Sequence, residues 1–182
     1  MKYSHLIPLT RPFPSLHTIV GCGGVASYFL PPFARVLKHQ SKAENVKSSL
    51  LLWDGDSVEA KNLERQNFSS KDVNLGKSEI LANSASIILG KPVKNKNIYF
   101  SKGEELSPDS AVFCFTDNHL GRKHVIEAVD EESSSMAIIA ANSAIGAHAY
   151  VYFPEWQGSS LDPRYRYPEI VSDNSGSPLS RA

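Results

Sequence analysis

The stretch Asp54-Gly55-Asp56-Ser57-Val58-Glu59-Ala60-Lys61-Asn62-Leu63-Glu64-Arg65-Gln66 directly follows the short, mostly apolar run Ser49–Trp53. A run of this kind closed by Asp-Gly reads as a buried strand that delivers a carboxylate to its carboxyl end. In open, doubly wound sheets that edge is where ligands bind. Upstream, Leu16–Val20 reads as another buried strand and runs into Gly21-Cys22-Gly23-Gly24, a glycine-rich turn ahead of a helical stretch. Such a turn lets bare backbone amides approach a phosphate at the positive end of a helix. A phosphate-sized turn and a carboxylate at two strand ends point to a nucleotide site.

Outward from these two turns, short apolar runs alternate with segments of helical period, which predicts an α/β domain with a mostly parallel sheet. Val25–Lys38 is expected to be helical, with a kink or a late restart where Pro31 and Pro32 remove amide donors. Ser78–Leu89 has helical spacing, with Ile80, Leu81, Ala85, Ile88 and Leu89 available for a buried face, and Gly90 and Pro92 end it. Ala111–Phe115 is expected as a strand leading into Asp117, and His119–Asp130 as a helix. Met136–Ala141 and Ala147–Phe153 complete the sheet, the latter alternating like a strand near an edge. Residues 1–15 read as an N-terminal extension, 16–153 as the nucleotide-binding domain, and 154–182, rich in proline, serine and glycine, as a loop or tail. Within that tail, Asp162–Glu169 has the composition of an ordered segment.

The chain has 182 residues, enough to bury a proper core, and its 19 Lys and Arg balance 19 Asp and Glu. With no net field to attract a polyanion, a nucleic-acid or membrane-surface partner is disfavoured, and a bound anion must be held by local groups. No apolar run reaches the length of a membrane span, and two cysteines in unrelated elements suit a reducing compartment. A cytoplasmic protein is therefore expected. The six histidines are scattered and none pairs with cysteines at ligand spacing.

Four segments, in order and spacing, resemble the ThiF/MoeB/HesA family, whose nucleotide-binding module is shared with the ubiquitin-activating enzymes. They are Gly21-Cys22-Gly23-Gly24-Val25-Ala26-Ser27, Asp54–Gln66, Gly76-Lys77-Ser78-Glu79, and Thr116-Asp117-Asn118 with Arg122. The resemblance implies a Rossmann-like, doubly wound sheet with helices on both faces and an adenylation site for Mg²⁺ and ATP. The residues it marks for nucleotide binding are Gly21, Gly23, Gly24, Asp54, Asp56, Asn62, Arg65, Gln66, Lys77, Asp117 and Asn118. Of these, Asp54 would accept hydrogen bonds from the ribose hydroxyls, and Arg65 and Lys77 would neutralise phosphate. Asn62 would add a neutral donor, Gln66 would support the loop, and Asp117 would ligate Mg²⁺ between the phosphates. Arg65, Lys77 and Asp117 are the three expected to carry the chemistry. The bland readings are a turn-forming Asp54, an Asp117 that caps the next helix, and an Arg122 that anchors its loop through a salt bridge. Cys22 is expected to be structural.

The reaction implied is adenylation of the C-terminal glycine carboxylate of a ubiquitin-like or sulfur-carrier protein, with pyrophosphate released, by a homodimer. The chain departs from the family at one point that bears on catalysis: its usual lysine position is Glu79, and the role passes to Lys77 by a short deletion. Cysteine pairs for zinc, a later thioester cysteine and the N-terminal Arg-Tyr-x-Arg segment are also missing, with Arg11 the nearest candidate for the last. These departures leave open a truncated domain, whose tail would begin the crossover region, or a minimal branch that adenylates without a thioester step. The alternative from another class is a catalytically inactive partner subunit or scaffold that keeps the fold. An NAD-dependent oxidoreductase would leave Arg65, Lys77 and Asp117 unexplained.

Overall fold

The first strand, β1 (Leu16–Val20), occupies the middle of a six-stranded sheet, and its side chains set the two-layer logic of the domain. The computed structural model describes residues 14–43, 48–142 and 146–172. Around β1 stand β2 (Ser49–Trp53), β3 (Lys94–Lys96), β4 (Ser110–Cys114), β5 (Met136–Asn142) and β6 (Ala147–Tyr152), in the order β3-β2-β1-β4-β5-β6. The first five strands are parallel and β6 is antiparallel to β5. Strand order reverses between β1 and β4, which creates a crevice at their carboxyl ends.

Alternate side chains of each strand feed different cores, as the strand period of two requires. Ile19, Leu50, Leu52, Ala111 and Phe113 pack against α1 (Gly24–Ala43) and α2 (Lys77–Leu89). Val20, Trp53, Val112, Cys114, Ala137 and Ile139 pack on the opposite face against α3 (His119–Glu131). The fold is thus α/β, with a Rossmann-like doubly wound sheet and helices on both faces, as the alternation in the sequence predicts. Small residues on the buried stripe of α1, Ala26 and Ala34, let its backbone lie close to the sheet. α2 ends at Gly90 in the left-handed conformation (φ 72°), where only glycine pays no steric penalty.

Three expectations are corrected. α1 runs through Pro31 and Pro32 as one continuous helix, so the late restart expected there does not occur. Those prolines free the carbonyls of Ser27 and Tyr28, and the first is recovered by the Asn67 side chain, whose Nδ2 donates to it at 3.4 Å. Tyr28 is exposed, so water can serve its carbonyl. Second, β3 is a strand that the sequence reading missed, because Lys94-Asn95-Lys96 is short, polar and paired only with β2. Third, residues 154–172 are a packed structure and not a tail. A 3₁₀ turn (Pro154–Trp156) leads to α4 (Pro163–Arg166) and α5 (Glu169–Ser172), and Ile170 is fully buried against the α3 core.

One polar network pins that segment. Arg164 reaches Asp130 of α3 at 2.6 Å and Asp162 at 2.8 Å, and donates to the Tyr152 hydroxyl at 2.9 Å. Asp162 in turn caps α4 by accepting from Arg164 N at 2.9 Å. Burial alone would raise the Asp162 carboxyl, but the Arg164 guanidinium and two backbone donors hold it below its ordinary value. Among the described residues, no helix is long and apolar enough to cross a membrane.

Candidate functional site

The carboxyl ends of β1, β2 and β4 meet at Gly21, and packing there is so close that glycine is obligatory. Gly21 has φ +89°, and a Cβ on it would lie 2.9 Å from the Phe115 carbonyl carbon. Its amide donates to Trp53 O at 2.9 Å, while Phe115 N donates to Val20 O at 2.8 Å, so the three strand ends are stitched together. Gly23 differs. It lies outside the positive-φ region, and a Cβ on it would meet nothing closer than Gln66 Nε2 at 4.0 Å. The fold does not require glycine at Gly23, so its bareness serves the space in front of it. That space is a cavity of about 460 Å³.

Asp54 organises the turn from β2. Its Oδ2 accepts from Cys22 N at 2.5 Å and its Oδ1 from Asp56 N at 2.8 Å. Burial raises its pKa and the neighbouring Asp56 adds to the shift, while these two amide bonds pull it back. A carboxylate has about four acceptor positions, so two remain beyond the two amides. Asp54 therefore holds the loop, as the bland reading has it, and keeps capacity for a ligand. Cys22 is fully buried with its thiol pushed well above the ordinary range by burial and by Asp54, so it is structural.

The following segment folds back as a 3₁₀ turn (Ala60–Asn62), with Asn62 buried and its Oδ1 accepting from Glu59 N at 2.9 Å. That bond commits the carbonyl end of the amide and leaves the NH₂ as its donor end. The Arg65 side chain is exposed at the cavity wall, with no ion-pair or hydrogen-bond partner among the described residues. Gln66 is buried beside the glycine turn with its Oε1 unpartnered.

At the start of α2, Lys77 is buried and pairs with Asp56, Nζ to Oδ2 at 3.1 Å. Asp56 also accepts from the Tyr99 hydroxyl. Lys77 lines the cavity, whereas Glu79 is exposed and stands outside its lining. The Glu79 side chain thus faces solvent.

On the β4 side, α3 is capped by Asn118, whose Oδ1 accepts from Gly121 N at 2.8 Å. The capping role read for Asp117 is therefore corrected, since its neighbour performs it. Asp117 Oδ1 accepts from Asn118 Nδ2 at 3.3 Å and lines the cavity. Arg122 is also corrected: among the described residues it makes no salt bridge. Its guanidinium donates to Thr116 O at 3.3 Å and meets His119 Nδ1 at 3.4 Å.

All eleven residues marked from the sequence, Gly21, Gly23, Gly24, Asp54, Asp56, Asn62, Arg65, Gln66, Lys77, Asp117 and Asn118, line this one cavity. The structure adds Trp53, Tyr99, Phe100, Arg122 and His124 to its wall. Tyr99 lies against Gly55, where a Cβ would fall 2.8 Å from its ring, so glycine there admits the aromatic side chain. Among the described residues, no three His, Cys, Asp or Glu side chains group to hold a metal unaided. A Mg²⁺ at Asp117 would depend on phosphate oxygens and water for its other ligands, which suits that ion. The bare Gly23, the glycine turn and the two cations Arg65 and Lys77 fit a phosphate chain, and Asp54 fits a ribose.

The fold and the cavity define a doubly wound α/β protein with a cavity at its topological switch point. No protein-family model matches the chain, and no curated protein does. Among solved structures 127 chains match, so the architecture is widely shared and does not by itself select an activity. One of them, a crystal structure of selenomethionine-labelled PaaA, is similar with a TM-score of 0.58 and 16% identity, over 82% of this chain and 45% of that one. The chain spans less than half of that structure, and at this identity the likeness bears on the fold alone.

Proposed function

We propose that the chain is an adenylate-forming activator of carboxylates. Mg-ATP lies across the carboxyl edge of the sheet, and the C-terminal glycine carboxylate of a ubiquitin-like or sulfur-carrier protein attacks the α-phosphate. Pyrophosphate leaves and an acyl-adenylate remains. The observation that carries this reading is the convergence of four separate sequence segments on one cavity, with Lys77 in its wall and Glu79 outside it. Little covalent chemistry is asked of the protein. Arg65 and Lys77 neutralise charge at the phosphates, the glycine turn orients them, and Asp117 positions Mg²⁺ when it is bound.

A second reading, an inactive nucleotide-binding subunit, is favoured by the engagement of Lys77 with Asp56, an acid in the same cavity. Calorimetric titration with ATP, with and without Mg²⁺ and with NAD as control, tests both. Mg-dependent ATP binding with ATP–pyrophosphate exchange supports the activator; binding without exchange selects the inactive subunit, and preference for NAD sinks both. Asp117→Ala should keep the fold and lose exchange by about 10² to 10³, the usual cost of one preorganised charge-stabilising group. We also infer a homodimer, which light scattering would check. Two buried, unpaired cysteines, Cys22 and Cys114, fit a cytoplasmic location.

A further inference from the structure

Arg122 is an anomaly in the cavity wall. It is only 8% exposed, and a buried cation is costly unless an anion compensates it. Among the described residues no carboxylate pairs with it. Its guanidinium has two polar contacts, neither with a carboxylate: Thr116 O at 3.3 Å and His119 Nδ1 at 3.4 Å, both long for a hydrogen bond. Its Nε is enclosed with no partner. Cys114 and Tyr150, which its charge also reaches, are held protonated by burial and supply no negative charge. A fold that only needed to anchor the Thr116 carbonyl would be served by a neutral donor.

Position tells which anion. The strand order runs β2-β1-β4-β5, so the glycine turn after β1 and Asp54 after β2 lie on one side of the switch point. Arg122, on the helix after β4, lies on the other, in a wall shared with Ala141 and Asn142 at the end of β5. The phosphates already have Arg65, Lys77 and the glycine turn as counter-charges, and reach the β4 side only through a Mg²⁺ at Asp117. A planar guanidinium on the far side matches the planar, two-oxygen carboxylate that must meet the α-phosphate. We propose that Arg122 is the receptor for the carboxylate to be activated, a second anion subsite across the cavity from the phosphate cations. This rests on the adenylation reading for the identity of the anion.

The test uses the full chain and saturation-transfer NMR, with glycylglycine as the carboxylate probe and glycylglycinamide as its uncharged twin, with and without Mg²⁺ and a non-hydrolysable ATP analogue. Wild-type protein should bind glycylglycine at least tenfold more tightly than the amide. Arg122→Gln should lose that preference while its melting curve and its affinity for the ATP analogue stay within twofold of wild type. Arg122→Lys, which keeps the charge and loses the fork, should weaken glycylglycine several-fold, and it stands in if the glutamine variant does not fold. Equal binding of acid and amide by wild type, or no binding of either, overturns the proposal. So does an undiminished preference in a folded Arg122→Gln, or a tenfold loss of nucleotide affinity there, which would give Arg122 to the phosphates. Failure of the adenylation reading shows separately, as no nucleotide binding by wild type, while the glycylglycine arm without nucleotide still reports on Arg122.

Discussion

Two glycines of one turn should respond in opposite ways to the same methyl group. At Gly21 an added Cβ would stand 2.9 Å from the Phe115 carbonyl carbon on a backbone with φ +89°. Left-handed strain and a backbone collision together should cost about 2–3 kcal/mol of stability in Gly21→Ala. At Gly23 the nearest atom to an added Cβ is Gln66 Nε2 at 4.0 Å, and the backbone is outside the left-handed region. Gly23→Ala should therefore leave stability unchanged or raise it by up to about 1 kcal/mol, because alanine restricts the unfolded chain. Its methyl would instead enter the space where a phosphate meets the turn. Losing one hydrogen bond to a charged group costs about 1.5–3 kcal/mol, which corresponds to roughly 10- to 100-fold in affinity. Urea melts and calorimetric titration with Mg-ATP on both variants separate the effects. If Gly23→Ala binds ATP as wild type does, the turn is not a phosphate cradle and its bareness has another cause. If Gly21→Ala is as stable as wild type, the close approach at the strand ends is wrong.

Two further predictions concern stability. Burial lowers the pKa of His17 from 6.5 to about 4, against an opposing hydrogen bond with the Ser49 backbone, and its ring packs against Phe33 and Phe113. The unfolded chain then takes up the proton first, so stability is full above the unfolded value and falls as pH drops through the window to the folded one. About 2 kcal/mol should be lost between pH 7 and pH 5, and His17→Phe should flatten that dependence in urea melts at the two pH values; parallel losses in both proteins would refute the assignment. Arg164→Ala would leave Asp130 and Asp162 adjacent and largely buried without their shared cation. It should cost about 3 kcal/mol, and a loss below about 1 kcal/mol in a urea melt would show that the network does not hold the C-terminal segment.

What the sequence made legible was what local pattern controls. The central strands β1, β2 and β4 are short, mostly apolar runs, and each falls within a residue or so of its expected bounds. The misreadings share one cause, a partner remote in sequence. Pro31 and Pro32 predict a kink or a late restart by the local rule, but Asn67, forty residues beyond Ser27, supplies a donor to a freed carbonyl. Lys94–Lys96 carries no apolar alternation and becomes a strand only by pairing with β2. The segment after Pro154 looks like a tail by composition, yet Arg164 finds Asp130 across 34 positions and Ile170 finds a core already built. Helices of four residues leave no period to detect.

The site divides along the same line. Residues that belong to motifs were legible because backbone geometry dictates them: a positive-φ glycine and a carboxylate that ties two turns. The aromatic wall, Tyr99 and Phe100, was not, since it lies on the loop leaving the strand that went unread. Arg122 shows the sharper limit. From sequence an arginine one turn into a helix after Asp-Asn is expected to find a carboxylate, because most partly buried arginines do. Whether that carboxylate belongs to the chain or to its ligand depends on what burial leaves within reach of the guanidinium, a question of three-dimensional packing alone. Among the described residues burial leaves it a carbonyl, an imidazole and a cavity, and a group whose charge these do not complete is where a substrate's charge is best recognised.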